Sequence, residues 1–279
     1  MRTLLSALMA VCAALQAQAD PALPGGVVVD LDADKGLDLA QDQTVRCWTS
    51  QTPGAPVQFV NRDEGRKAPG SGQPAVRIQV AELGGASALV FRQQELVCMD
   101  EDRFDFLTQG GGCTWFAVLA THEQRVGLKD VNSFFGNLKN GGYFEGLWGC
   151  FTDDNRIWWG PRNGLSFGRF DANNPQLLGP VIVPGKFHVF AGRMGAGVER
   201  ATAELFVDTT EPAAGAELPV NPKANPSKLA IGQERDAINH PGHESFDGEI
   251  ARFLVFGRAL DSSELRAVFQ VLKTRYKLP

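Results

Sequence analysis

Phe246-Asp247-Gly248-Glu249-Ile250-Ala251-Arg252-Phe253-Leu254-Val255-Phe256 runs through Gly257-Arg258-Ala259-Leu260 into Asp261-Ser262-Ser263-Glu264. The stretch from Glu249 to Phe256 reads as a strand, because short apolar runs bounded by turn residues are the strand signature. Asp261 then stands three residues before Glu264, the spacing at which an N-cap side chain and an acidic N3 residue satisfy each other's backbone donors. A helix is expected to follow. Leu265, Val268, Phe269 and Leu272 fall at i, i+3, i+4 and i+7, so its one apolar stripe should pack against the rest of the protein.

Upstream of that helix, helical periodicity is almost absent. Strands are expected over Val27 to Leu31, Thr44 to Thr49, Ala75 to Val80, Ala88 to Arg92, Cys113 to Thr121, Gly146 to Phe151, Lys186 to Gly192, Thr202 to Val207 and Lys228 to Gly232. The run Cys113-Thr114-Trp115-Phe116-Ala117-Val118-Leu119-Ala120 is apolar at alternate positions of both parities. Such a strand belongs in the middle of a sheet that is covered on both faces. The connections are rich in Gly, Pro, Asn and Asp, for example Pro53-Gly54, Gly110-Gly111-Gly112, Asn140-Gly141-Gly142 and Asn173-Asn174-Pro175. These residues supply positive or fixed φ at turns. No repeat or long linker divides the chain, so one domain is expected from residue 25 to 279.

Met1-Arg2-Thr3, the apolar run Leu4 to Leu15, and Gln16-Ala17-Gln18-Ala19 have the three regions of a signal peptide, with cleavage expected after Ala19. That places the mature protein outside the cytoplasm, secreted or periplasmic. Val11 stands where a lipobox would need a small residue before Cys12. No later stretch approaches the ~20 apolar residues of a membrane helix, so no membrane span is expected. Loss of Arg2 takes the formal net charge of the 279-residue chain from −5 to −6. With no basic run interleaved with aromatics, the electrostatic footprint of a nucleic-acid binder is missing. Of the five cysteines, Cys47, Cys98, Cys113 and Cys150 follow the signal peptide. In an oxidising compartment they admit two disulfides in any of three connectivities; the alternative is buried free thiols. No Cys-x-x-Cys pair suggests zinc.

The segment from Phe246 to Ala251, the strand Phe253 to Phe256, the turn Arg258-Ala259-Leu260 and a helix ending Lys273-Thr274-Arg275-Tyr276 together resemble the close of bacterial laminin-G-like, or concanavalin A-like, jelly-roll domains. Glu204 to Asp208 resembles the strand and turn that precede it, and Leu31-Asp32-Ala33-Asp34 with Val45 to Trp48 resembles the entry strands. The likeness is specific over the last fifty or so residues and weak through the middle third. It implies an all-β jelly-roll sandwich of two antiparallel sheets with one C-terminal helix. Fold alone does not give function.

The resemblance brings glycoside hydrolases into view, whose two catalytic glutamates share one strand face as Glu-x-Asp-x-(x)-Glu. This sequence lacks that pattern, and Asp100-Glu101-Asp102-Arg103-Phe104-Asp105 reads as a solvated turn. Gly164-Leu165-Ser166-Phe167-Gly168 matches a nucleophile-elbow string, but lacks the strand-to-helix context that gives it meaning. Asp30, Asp32 and Asp34 alternate like the start of a calcium loop, yet Lys35 and Gln41 depart from it and a solvated strand edge reads better. Calcium stays open as the one cofactor the resemblance allows. His188 sits in an apolar strand and reads as a satisfied core or groove residue.

The expected ligand-binding residues are Trp158, Trp159, Arg162, Asn163, His240 and His243. Adjacent tryptophans in a strand point to opposite faces, so one of Trp158 and Trp159 can leave the core and stack on a sugar ring beside Arg162 and Asn163. The alternative is that both are covered by different layers of the sandwich. His240 and His243 lie in a Pro-Gly loop and read either as contacts to a metal or a ligand oxygen or as exposed turn residues. The function expected is a non-catalytic, lectin-like carbohydrate-binding protein with a glycan partner. The alternatives are a glycan hydrolase or lyase with a non-standard site, and an adhesion or scaffold module that binds protein.

Overall fold

The computed structural model describes residues 22–54, 56–61, 72–124, 132–139, 143–167, 171–234 and 245–279. In chain order the strands are β1 (Val27–Asp32), β2 (Leu37–Leu39), β3 (Val45–Thr49), β4 (Gln58–Asn61), β5 (Ala75–Arg77), β6 (Ala88–Arg92), β7 (Leu96–Val97), β8 (Cys113–Thr121) and β9 (Asn132–Gly136). They continue with β10 (Glu145–Phe151), β11 (Arg156–Asn163), β12 (Leu177–Val181), β13 (Phe187–Met194), β14 (Arg200–Val207), β15 (Pro212–Pro219), β16 (Ala230–Ile231) and β17 (Asp247–Phe256), before the helix α1 (Ser262–Tyr276). The pairings between these strands are antiparallel. One sheet has eight strands in the order β15-β14-β13-β8-β17-β6-β5, with β1 also on β17; the other has nine, β12-β11-β10-β9-β16-β7-β4-β3-β2. This is a jelly-roll sandwich closed by one C-terminal helix.

β8 shows why the eight-stranded sheet is covered twice. Trp115, Ala117 and Leu119 point into the core shared with the nine-stranded sheet, while Phe116, Val118 and Ala120 point the other way, under α1. Both parities are therefore apolar. Leu265, Val268, Phe269 and Leu272 of α1 are buried on that outer face, and Phe269 meets Phe116 edge-on at 5.4 Å. The capping box forms as its spacing requires: Asp261 Oδ1 accepts from the Ser263 and Glu264 amides at 2.8 and 2.9 Å, and Glu264 Oε2 accepts from the Asp261 amide at 3.1 Å.

The aspartates of β1 correct the solvated-edge reading. Leu31 enters the core, so Asp30 and Asp32 take the opposite face, beneath α1, where Asp32 is only 1% exposed. Burying a carboxylate requires a partner. Arg252 of β17 supplies it, with Nε 2.7 Å from Asp30 and Nη1 2.6 Å from Asp32. Arg275 of α1 adds contacts of 3.2 Å to Asp32 and 3.0 Å to Asp34. These carboxylates are committed to guanidinium groups, which argues against the calcium reading. Among the described residues no cluster of three or more metal-ligating side chains occurs.

Cys47, Cys98, Cys113 and Cys150 are buried free thiols. Cys98 and Cys113 enter the inter-sheet core, whereas Cys150 lies on the outer face of the nine-stranded sheet. Cys47 alternates with core-facing Trp48 on β3, five strands from β10; at ~4.8 Å per strand that is about 24 Å, against the ~7 Å that a disulfide tolerates. Burial pushes the Cys113 thiol up to about 12 and Cys150 well above the ordinary range. Thiol titration should therefore find these four cysteines unreactive in the native protein and all reactive, without reductant, once it is denatured. Persistent loss of two thiols after denaturation would contradict this placement.

His188 is satisfied at one ring nitrogen, its Nδ1 lying 2.5 Å from Asp208 Oδ2. Asp208 is partly desolvated, which alone would raise its pKa, but the bond to His188 and the Val189 amide hold it below the ordinary range. Among the described residues no helix is long and apolar enough to cross a membrane.

Candidate functional site

β10 and β11 pair with Trp148 opposite Gly160, Cys150 opposite Trp158 and Gly146 opposite Arg162. The period of two puts Trp148, Cys150, Trp158, Gly160 and Arg162 on one face, the outer face of the nine-stranded sheet. Glycine makes room for the indoles. A Cβ at Gly160 would lie 2.2 Å from the Trp158 ring, and one at Gly136 would lie 2.8 Å from the Trp148 Cβ. Trp148 and Trp158 meet edge to face at 5.0 Å, and the Arg162 guanidinium lies 5.4 Å from the Trp148 ring centroid. Burial pulls the Arg162 pKa below its ordinary value, opposed by the carboxylates of Glu234 and Asp171.

The two adjacent tryptophans do point to opposite faces, but neither leaves the interior: both are 0% exposed. Trp159 fills the core against Trp115, 5.9 Å away edge-on. Trp158 is closed over by Trp148 and Leu138, with Phe144 packed alongside. An exposed stacking platform at either position is thus corrected. β11 is an interior strand between β10 and β12, and its neighbours carry enough apolar bulk to seal both faces.

Asn163 is a scaffold for the following loop. Its Nδ2 donates to Asn173 O at 2.8 Å, its Oδ1 accepts from the Leu165 amide at 2.8 Å, and its carbonyl accepts from Asn221 Nδ2 at 2.9 Å. Gly164 then turns at φ 69° and donates to the Phe144 carbonyl at 2.9 Å. The described part of the nucleophile-elbow string, Gly164 to Phe167, follows β11, and the described residues between it and β12 hold no helix.

That loop delivers the feature the sequence reading missed. Phe167 is 69% exposed and Tyr143 54% exposed. Phe144 meets Phe167 in a tilted pair, 5.7 Å and 32°, and also packs on the Trp148–Trp158 cluster. An aromatic surface therefore continues outward from the buried indoles. Its sequence signal was the placing of these aromatics beside turn glycines, where no core can take them. Around it stand carboxylates. Glu145, next to Phe144, accepts from the Asn225 amide at 3.0 Å. Asp105 is raised to about 6, first by burial and then by Asp102, with Glu101 and Glu145 adding to it and Lys139 opposing. Its Oδ1 is buried without a hydrogen-bond donor. Asp100 to Arg103 form a solvated turn, whereas Phe104 is buried and Asp105, partly withdrawn from solvent, opens a short 3-10 helix, Asp105–Leu107. His240 and His243 lie outside the described residues.

No protein-family model and no curated protein matches the sequence. Among solved structures, Trypanosoma rangeli sialidase in complex with sialic acid is similar at 16% identity and a TM-score of 0.53, covering 91% of this chain and 34% of that chain. A mutant of that sialidase displaying trans-sialidase activity is similar at 18% identity and 0.53, covering 90% and 34%. The Botulinum neurotoxin serotype G binding domain is similar at 9% identity and 0.51, covering 89% and 51%. The chain spans about a third of the sialidase length and half of the neurotoxin domain. At these identities the likeness shows the fold alone, a jelly-roll sandwich of two antiparallel sheets.

Proposed function

We propose that this chain is an exported, one-domain, non-catalytic carbohydrate-binding protein whose glycan site is the aromatic surface of Tyr143, Phe144 and Phe167. The observation that carries the reading is the exposure of Phe167 against Phe144, which itself packs on the buried cluster of Trp148 and Trp158. Flat aromatic faces offer apolar area to the C–H faces of sugars at little cost in conformational entropy. Trp158 and Arg162 support that surface from beneath, and Asn163 positions the loop that bears Phe167. The similarity of fold to a sialidase solved with sialic acid supports glycans as the class of ligand without naming one. Export rests on the signal-peptide pattern of residues 1–19.

Phe167→Ala and Tyr143→Ala are expected to weaken glycan binding by about 1–3 kcal/mol each, with the thermal midpoint unchanged because both rings are largely in water. A glycan array followed by titration of the best ligand measures the first, and differential scanning calorimetry the second. Full affinity in both variants would remove this surface from consideration. One observation favours a hydrolase instead: a carboxyl raised to about 6, with another carboxylate in its field, is the arrangement that separates acid from base. A reducing-end assay separates the readings. Product release by the native protein that disappears in Asp105→Asn would establish the enzyme.

A further inference from the structure

We infer that the rim of the sandwich where β1 enters holds a second ligand site for a neutral, polyhydroxylated ring such as a sugar. This inference does not rest on the aromatic surface of the nine-stranded sheet. A pocket of about 500 Å³ opens between the N-terminal segment and the turn after β3, with Leu23, Val27 and Pro53 as apolar walls and Asp30, Gln51 and Thr52 as polar ones. A second hollow of about 310 Å³ shares Val27, Thr52 and Pro53 and continues to Arg103 and Phe106. Both fall in the roughly 300–1,000 Å³ range of small-molecule sites.

The walls are fixed before any ligand arrives. The Gln51 amide donates to Asp30 O at 2.7 Å, and the Asp30 amide donates to Ser50 Oγ at 2.8 Å. On the other side the Gly257 amide donates to Gly26 O at 2.9 Å, and Arg258 Nε to Gly25 O at 3.0 Å. The cleft is therefore preorganised, which lowers the entropic cost of binding.

Charge decides the class of ligand. Asp30 reaches the pocket, but it belongs to a cluster in which the carboxylates of Asp30, Asp32 and Asp34 face the cations of Arg252, Arg275 and Lys35. The charges cancel. In the adjoining hollow Arg103 is held 3.8 Å from Asp100. A site without net charge rewards neither an anion nor a cation, while the Gln51 amide and the Thr52 hydroxyl beside apolar walls suit hydroxyls on an apolar ring. Phe106, 37% exposed, offers a face for such a ring in the adjoining hollow.

The test is a titration of the isotope-labelled protein with lactose, maltose and cellobiose, followed by amide chemical shifts. At least one sugar should give saturable shifts at Gly25, Gly26, Val27, Gln51 and Thr52. Gly25→Trp should abolish them: a Cβ there meets nothing within 4 Å, so the indole can fill the opening without unfolding the chain. Gln51→Ala is the second variant, expected to weaken the same shifts, and it serves if the first fails to fold. Shifts absent from residues 25–27 and 51–52 with all three sugars, or unchanged in both variants, overturn the site. Tighter binding of methyl glucuronide than of the neutral sugars overturns the charge argument. Shifts confined to residues 143–167 would uphold the aromatic surface and sink this one; the reverse pattern would do the opposite.

Discussion

Arg252→Ala should lower the unfolding free energy by about 3–5 kcal/mol, the cost of stranding buried carboxylates without their counter-ion. Arg252 is the hub that ties the first strand, β1, to the last, β17, and shares Asp32 with Arg275 of α1. Without it Asp32, almost fully buried, keeps the Asp34 amide at 3.0 Å and its contacts to Arg275 and, at 3.8 Å, to Lys35. The neighbouring Asp30 behaves differently. Burial pushes its carboxyl above the ordinary range even with Arg252 beside it. A carboxyl whose folded pKa is raised contributes stability below its unfolded pKa and loses it as pH rises, so ionised Asp30 is tolerated rather than favoured. Asp30→Asn should accordingly cost far less than Arg252→Ala at neutral pH. Urea unfolding followed by tryptophan fluorescence measures both midpoints. Equal losses for the two variants would mean that the guanidinium is not the centre of the network.

The same network marks a boundary of what sequence patterns convey. Asp30, Asp32 and Asp34 alternate visibly along the chain, and alternation correctly places Asp30 and Asp32 on one face of a strand. Whether that face meets water or a helix depends on a residue 220 positions away in the chain, Arg252. The Asp261 capping box and the stripe of α1 were legible because both are local. β8 was legible to the residue, since a strand apolar on both faces has few places to go. β11 is not among the strands expected from the sequence, where Trp158 and Trp159 are extended only on condition. In the fold Gly160 is the space into which the Trp158 ring fits. The exposed aromatics were missed for a related reason. Phe167 lies in a string set aside as an accidental motif, and its exposure depends on how Asn163 folds the loop back toward Phe144.

Trp159→Ala and Trp158→Ala test the two layers separately, and both should cost about 3–5 kcal/mol, the range for removing a fully buried indole. Trp159 sits between the sheets, wedged against Trp115, which in turn touches Phe134 and Phe135. Its loss opens a cavity in the main core, far from any solvent-exposed ring. Trp158 belongs to the small outer cluster with Trp148 and Cys150, and that cluster also carries Phe144. Its removal should therefore loosen the base on which Phe144 and Phe167 rest. The two variants are expected to fall together in stability and to part in binding. Measured well below their unfolding midpoints, Trp159→Ala should keep glycan affinity and Trp158→Ala should lose part of it. Gly160→Ala gives a third reading, because its methyl group would press on the Trp158 ring; a stability loss of about 1–3 kcal/mol is expected from such overpacking. If Trp158→Ala retains full affinity for a ligand that Phe167→Ala no longer binds, the outer tryptophans serve packing alone, and the binding surface ends at Phe144.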